Sequence, residues 1–242
     1  MKILSRCSLP FAVGVTALLS TVHSARADFV QYSVDKNAAF TSAAAVTASH
    51  LPAGVSSSAT LVGYADRTSN SQSGMTDPAF YWSNLPETLD TSKYIQFSIT
   101  SAQSFSLLEF SFMPRNFWDK PGKIEVRFST SSEDFDSNYV VLYSSNERYT
   151  QPTTTYGTDA NGTPIIIDLT ASGVPATISS GYFRIYVYDV VNRTNGAASP
   201  SSWVGVDDVT ILFTSTIPEP GTAGLFVGGG VLIAVGATHR RR

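Results

Sequence analysis

Cysteine is nearly missing from this sequence. Cys7 is the only one in 242 residues, so no intramolecular disulfide can form and the fold must hold by burial alone, as about 190 residues permit. Cys7 precedes an apolar run rather than following it, which argues against a lipoprotein attachment site. Histidine is almost as scarce: His23 and His239 lie near the two ends, leaving His50 in "TASHLPAG" as the body's single imidazole. A Ser-His-Asp triad then has one available base and a zinc site one imidazole. No nucleophile elbow flanks His50, which reads as a loop histidine. Charge is sparse too: 14% of residues are Asp, Glu, Lys or Arg, against roughly 25% in an average soluble domain. Ser, Thr, Gly and Asn fill the polar positions, and the absence of a basic stripe excludes nucleic acid as a partner.

What is present begins at the N-terminus. Lys2 and Arg6 precede the apolar run Leu9 to Leu19, and "SARA" places Ala25 and Ala27 at the −3 and −1 positions of a signal-peptidase site. Residues 1–27 therefore read as a signal peptide, with cleavage between Ala27 and Asp28. At the other end "IPEPGTAGLFVGGGVLIAVGATHRRR" has 18 uncharged residues from Gly221 to Thr238, close to the roughly 20 that span about 30 Å of hydrocarbon. Arg240, Arg241 and Arg242 behind it obey the positive-inside rule, leaving the body outside. Pro218 and Pro220 continue neither a strand nor a helix and mark an extended hinge before the membrane. Loss of both ends lowers Lys plus Arg from 16 to 10 and Asp plus Glu from 19 to 18, for a net charge of −8.

The triplet Pro218, Glu219 and Pro220, the Gly-rich segment 221–238 and the arginine cluster 240–242 together resemble the PEP-CTERM sorting domain. That resemblance implies an exosortase as partner and a Gram-negative envelope that makes exopolysaccharide. It further implies a precursor held in the inner membrane by a C-terminal helix, then a mature form on the cell surface or outside the cell. The expected organisation is a signal peptide at 1–27, a body at 28–216 and a sorting signal at 217–242.

Within the body the dominant period is two. Ile95, Phe97 and Ile99 alternate with Gln96, Ser98 and Thr100. Ile124, Val126 and Phe128 alternate with Lys123, Glu125 and Arg127. Phe183, Ile185 and Val187 alternate with Tyr182, Arg184, Tyr186 and Tyr188. Such patterns predict antiparallel strands with one buried and one wet face. Further strands are expected in "FVQYSV", "TLVGY", "SLLEFSF", "YVVLY", "PIIIDL" and "WVGVDDVTILF", while only Ala38 to Leu51 offers a weak helical pattern. About nine strands between Gly, Pro, Asn and Ser turns predict an all-β, antiparallel β-sandwich of jelly-roll type. Asp66–Pro78 and Arg148–Pro164 read as long polar loops. The run from "KYIQFSIT" through "KIEVRFSTSSEDF" and "FRIYVYD" to "VGVDDVTILF" resembles the jelly-roll bodies of PEP-CTERM proteins, which are similar to carbohydrate-binding modules and galactose-binding-like sandwiches.

Three kinds of site are candidates. Glu109 and Glu125, or Asp207 and Asp208, would serve a glycoside hydrolase if two of them faced each other across a cleft; a solvated face is the plainer reading. The turn "SSEDFDSN" offers Glu133, Asp134, Asp136 and Asn138, hard oxygen ligands that with Asp207 and Asp208 suit a structural calcium, although the Gly and Glu of an EF-hand loop are missing. Tyr182, Arg184, Tyr186 and Tyr188 share one strand face, where rings can stack on sugar C–H faces and a guanidinium can fork onto hydroxyls or carboxylates; packing under a loop is the alternative. Phe117–Asp119 and Tyr81–Trp82 add loop aromatics. The sequence thus predicts an exported, non-enzymatic protein that binds exopolysaccharide, with a two-carboxylate hydrolase as the alternative.

Overall fold

The structure is a computed structural model that describes residues 26–32, 46–66, 80–115, 122–150, 163–192, 194–202 and 204–215. Ala25 and the signal segment before it, Phe117–Asp119, and the tail with Pro218, Glu219, Pro220 and Arg240–Arg242 lie outside the described residues, as does most of each long polar loop.

Every regular element among the described residues is a strand: β1 (Arg26–Tyr32), β2 (Val46–Thr47), β3 (Val55–Val62), β4 (Ala65–Asp66), β5 (Phe80–Ser83), β6 (Tyr94–Arg115), β7 (Lys123–Ser129), β8 (Val140–Ser144), β9 (Ile165–Asp168), β10 (Ile178–Tyr188) and β11 (Val204–Ser215). All pairings are antiparallel.

The organising element is β6. Straight, its 22 residues would reach about 70 Å at roughly 3.3 Å each. Yet the rings of Phe97 and Phe110 lie 6.3 Å apart, so the strand must fold back on itself. The bend falls at Ser101–Ser104, where Ser101 Oγ accepts a hydrogen bond from the Gln103 amide at 3.1 Å and Ala102, Gln103 and Ser104 are exposed. Before the bend β6 pairs with β3 and β10; after it, with β11 and β9, and at Phe105 with Ile178 of β10 across a register shift. Two layers result. The first runs β2-β3-β6-β10-β7-β8. The second runs β9-β6-β11, with β1 and then β5 along the far side of β11 and β4 beyond β5.

The predicted alternation fills the space between the layers. Phe183 of β10 stacks on Phe110 with ring centroids 4.4 Å apart, and Phe97 meets Tyr32 at 5.1 Å and Phe80 at 6.0 Å. All five are buried. Offset and edge-on aromatic contacts of this kind add about 0.5–1.5 kcal/mol each beyond burial. Ser-rich β3 is held differently: Ser58 Oγ meets Ser98 Oγ at 3.0 Å, and the Ser57 hydroxyl joins Tyr32 Oη to the Ser98 carbonyl.

Several boundaries differ from the sequence reading. "KYIQFSIT" and "SLLEFSF" are one bent strand. β3 begins five residues before "TLVGY", in a serine run with little apolar signal. Tyr81–Trp82 belongs to β5 rather than a loop, with Trp82 fully buried. The described part of the weak helical candidate, 46–51, holds instead the short β2 and a bridge between His50 and Gln31.

Candidate ligand-binding face

The outer face of the first layer is built by strand register. With Phe183, Ile185 and Val187 turned into the core, β10 turns Tyr182, Arg184, Tyr186 and Tyr188 outward. Tyr182 stands between Ser98 and Ser129, Arg184 between Gln96 and Arg127, Tyr186 beside Glu125, and Tyr188 beside Lys123. Polar and aromatic residues of three strands therefore share one surface.

Two arginines side by side must be offset by something. Arg184 donates from Nε to Gln96 Oε1 at 2.9 Å and from Nη2 to the Ser132 carbonyl at 2.7 Å. Its guanidinium carbon lies 3.8 Å from the Tyr94 ring centre and 4.0 Å from that of Phe135, so the cation is held between two aromatic faces. Arg127 donates from Nε to Glu125 Oε1 at 2.6 Å and sits 4.3 Å from the Tyr139 ring and 5.0 Å from the Tyr186 ring. Each such cation–π contact contributes about 0.5–2 kcal/mol, more as water is excluded. The side chains of Arg127 and Glu125 are only 8% and 12% exposed, so their mutual charge compensation matters more than at a wet surface.

The segment after β7 lies over part of this face as a strap. Ser180 Oγ donates to the Thr130 carbonyl at 2.7 Å, Arg184 holds Ser132, Phe135 is buried, and Tyr139 covers Arg127. This arrangement corrects the picture of three open tyrosines on β10. Tyr186 is 1% exposed, edge-on to Tyr94 with ring centres 6.0 Å apart. Its hydroxyl is buried without a hydrogen bond of good geometry, although the two guanidiniums flank it. Burial pushes its pKa up and Arg184 and Arg127 pull it back, leaving it above the usual tyrosine value. Tyr182, Arg184, Tyr188 and Tyr94 are half-buried, and Tyr139 is exposed. The accessible part of the face is thus Tyr182, Tyr188, Tyr94 and Tyr139 around an immobilised Arg184.

At the end of β10, Asp189 takes Arg148 at 2.9 Å and Lys123 at 3.4 Å. Burial raises the Asp189 pKa, but the hydrogen bonds and positive charges of Arg148 and Lys123 outweigh it and hold the carboxyl below its ordinary value. Tyr188 beside it is shifted up, mainly by burial and then by the negative charges of Glu125 and Asp189.

The other candidates do not converge. Asp134 and Asp136 are exposed on the strap to either side of buried Phe135, where the Asn138 amide donates to the Asp134 carbonyl at 2.9 Å. Asp207 is buried in the second layer: Oδ2 accepts Arg115 Nη2 at 2.8 Å and Oδ1 accepts the Asp208 amide at 2.8 Å. Burial raises the Asp207 pKa despite Arg115. Asp208 is exposed in the left-handed region, φ 48°, at a break in the register between β11 and β6. The four acids are therefore split between the strap and the far strand. Among the described residues no group of three or more His, Cys, Asp or Glu side chains is placed to hold a metal ion. Glu109 lies on the outer face of the second layer opposite Asp168 and Glu125 on the outer face of the first, so the two do not flank one cleft. His50 is exposed and stacks on Phe29 at 4.1 Å.

Tyr94, Arg127, Phe135 and Tyr139 were not singled out from the sequence as parts of this face. Tyr94 and Arg127 sit on the polar phase of strands whose period was plain, which places them on the wet side. Phe135 carries no such signal: it lies between two aspartates in a turn.

No known family matches this chain, and no curated protein does. Among solved structures it is similar to a carbohydrate-binding module of family 29, at 14% identity over 77% of this chain and 89% of that one with a TM-score of 0.33. It is also similar to the K3 cleaved adhesin domain of Lys-gingipain from Porphyromonas gingivalis, at 15% identity over 66% and 92% with a TM-score of 0.34. A third is CBM32-1 from a family 31 glycoside hydrolase of Clostridium perfringens, at 11% identity over 68% and 97% with a TM-score of 0.34. Likenesses of this size carry no argument about activity or ligand.

Proposed function

We propose that this chain is an exported, non-enzymatic β-sandwich that binds polysaccharide on the outer face of its first layer and is sorted by its C-terminal tail. The observation that carries the binding role is Arg184, held between Tyr94 and Phe135 and tied to Gln96 and Ser132. A guanidinium already ordered loses little further freedom when it meets a hydroxyl or carboxylate. Half-buried Tyr182 and Tyr188 flank it along the same strand and offer ring surface to sugar C–H groups. Export rests on the signal at 1–27 with its signal-peptidase site at Ala25 and Ala27. Sorting by an exosortase rests on Pro218, Glu219, Pro220 and the arginine cluster 240–242. The non-enzymatic reading is supported by the commitment of Glu125 to Arg127 and of Asp207 to Arg115.

Screening residues 28–216 on glycan arrays and against chromogenic glycosides tests this reading. Retention on at least one polysaccharide without hydrolysis is expected. Turnover of any glycoside, or a blank array, overturns it.

A further inference from the structure

The start of β1 and the end of β11 lie at one end of the sandwich. Arg26 at the start of β1 pairs with Ser215 at the end of β11, Ala27 with Thr214, and Ser215 also with Phe105 just past the bend of β6. The same end carries the bend itself, the start of β3 opposite Ser101, the segment 170–177 that leads into β10, and the first residues of β10, whose Ile178 pairs with Phe105. Tyr94 and Arg115, the two ends of folded β6, lie at the opposite pole.

Covalent reach makes this end special. Pro220 follows Ser215 by five residues, which span at most about 18 Å when fully extended. A small domain is about 30 Å across. An enzyme that takes Pro218–Pro220 into its active site must therefore touch the pole from which β11 emerges. Gly221, where the apolar segment begins, is only one residue further, so the same pole lies next to the bilayer.

The composition of the pole fits such a contact. Residues 53–57, 100–106, 129–132, 170–181 and 214–215 include no Asp, Glu, Lys or Arg, and Ala102, Gln103, Ser104, Pro175, Ala176 and Thr177 are exposed; Glu133, whose amide donates to Ser131 Oγ, and Asp168, which accepts from Thr170, border this surface at its rim. Arg26 also lies here but falls to the expected signal cleavage. The opposite pole holds Asp90, Lys93, Lys123, Arg148 and Asp189. A close approach strips water from whatever it covers, and stripping charges is far costlier than stripping hydroxyls and methyls.

We propose that the pole formed by the β6 bend and residues 170–180 is the surface that docks on the membrane-embedded protease cleaving at Pro218–Pro220. This inference rests on the sorting reading of the tail. It commits to that one occupant because Pro218–Pro220 lies between Ser215 and the apolar segment, so an enzyme holding that triplet stands between the pole and the bilayer.

The test follows maturation of the full-length chain in its native host by pulse-chase. A Gln103→Glu, Ala176→Glu variant should mature at least tenfold more slowly than wild type. A Thr91→Glu, Ser201→Glu variant, carrying the same charges on exposed positions of the opposite pole, should mature normally. Inserting ten Gly/Ser residues after Ser215 should restore the first variant, since the body need no longer press on the enzyme. Melting of the corresponding 28–216 bodies excludes a folding defect. Normal maturation of the first variant, alongside a block in Glu219→Ala, overturns the docking surface and leaves the sorting reading standing. Normal maturation of Glu219→Ala overturns both.

Discussion

At the scale of single residues, Tyr186 shows how a side chain on the polar phase of a strand can belong to the packing. Its ring fills the space between Tyr94, Arg127 and Glu125 under the strap, so truncation leaves a cavity. Tyr186→Ala should destabilise the body by about 3 kcal/mol or more, in the range for large buried rings. Tyr186→Phe should cost almost nothing, because the hydroxyl it removes lacks a good hydrogen bond. Urea midpoints of the two variants separate the ring's contribution from the hydroxyl's. Arg115 and Asp207 make the opposite case, a buried pair in which each charge depends on the other. Arg115→Ala should cost about 3–5 kcal/mol by stranding the carboxylate, read from the same denaturation curves. Asp189 supplies a pH dependence. Its folded pKa is depressed, so its stabilising contribution is complete above the ordinary carboxylate value near 4 and is lost as pH falls through the folded value. Asp189→Asn should flatten the acid limb of the stability profile there and leave the slope at pH 7 unchanged.

Among the elements, β6 and the strap matter most, and they mark where sequence reading works and where it stops. The inward phase of β7 and β10 was legible because alternation over seven residues has one physical solution, a half-buried strand. That β6 is one strand and not two was not legible. Ala102, Gln103 and Ser104 at its middle are exposed and break the apolar alternation, so the two halves read as separate strands, and the approach of Phe97 to Phe110 shows the fold-back. β3 escaped for a related reason: Ser57 and Ser58 are held by hydroxyl contacts to Ser98, and the Ser56 carbonyl accepts from Thr100 Oγ1, none of which a hydropathy pattern reports. The strap escaped because it packs through one ring, Phe135, in an acidic turn. Phe135→Ala should free Arg184 on one side and loosen 130–139. Limited proteolysis should then cut that segment at least tenfold faster than in wild type, while β-type circular dichroism persists. The turn between β3 and β4 depends on Gly63, where φ is 73° and an added Cβ would meet the Ser92 carbonyl at 2.5 Å. Gly63→Ala should cost about 1–3 kcal/mol for that strain, measured as a lowered melting temperature.

At the scale of the whole molecule, the described residues form a sandwich with two poles and two outer faces. One pole gathers the start of β1, the end of β11 and little charge, the other holds the ion pairs of Asp189 with Lys123 and Arg148, and the first layer presents Arg184 and its tyrosines sideways to both. If the tail holds the precursor in the membrane as proposed, that geometry keeps the proposed binding face clear of the bilayer, and ligand capture need not wait for processing. The most direct measurement is affinity electrophoresis of residues 28–216 through gels containing the host's exopolysaccharide, for wild type and for Tyr182→Ala, Tyr188→Ala. Each lost ring contact is worth on the order of 1 kcal/mol, and 1.4 kcal/mol is tenfold in affinity. The account predicts retardation of the wild type, and retardation weakened at least tenfold in the variant at a melting temperature within a few degrees of wild type. Equal retardation of the two proteins, or none of the wild type, would contradict it.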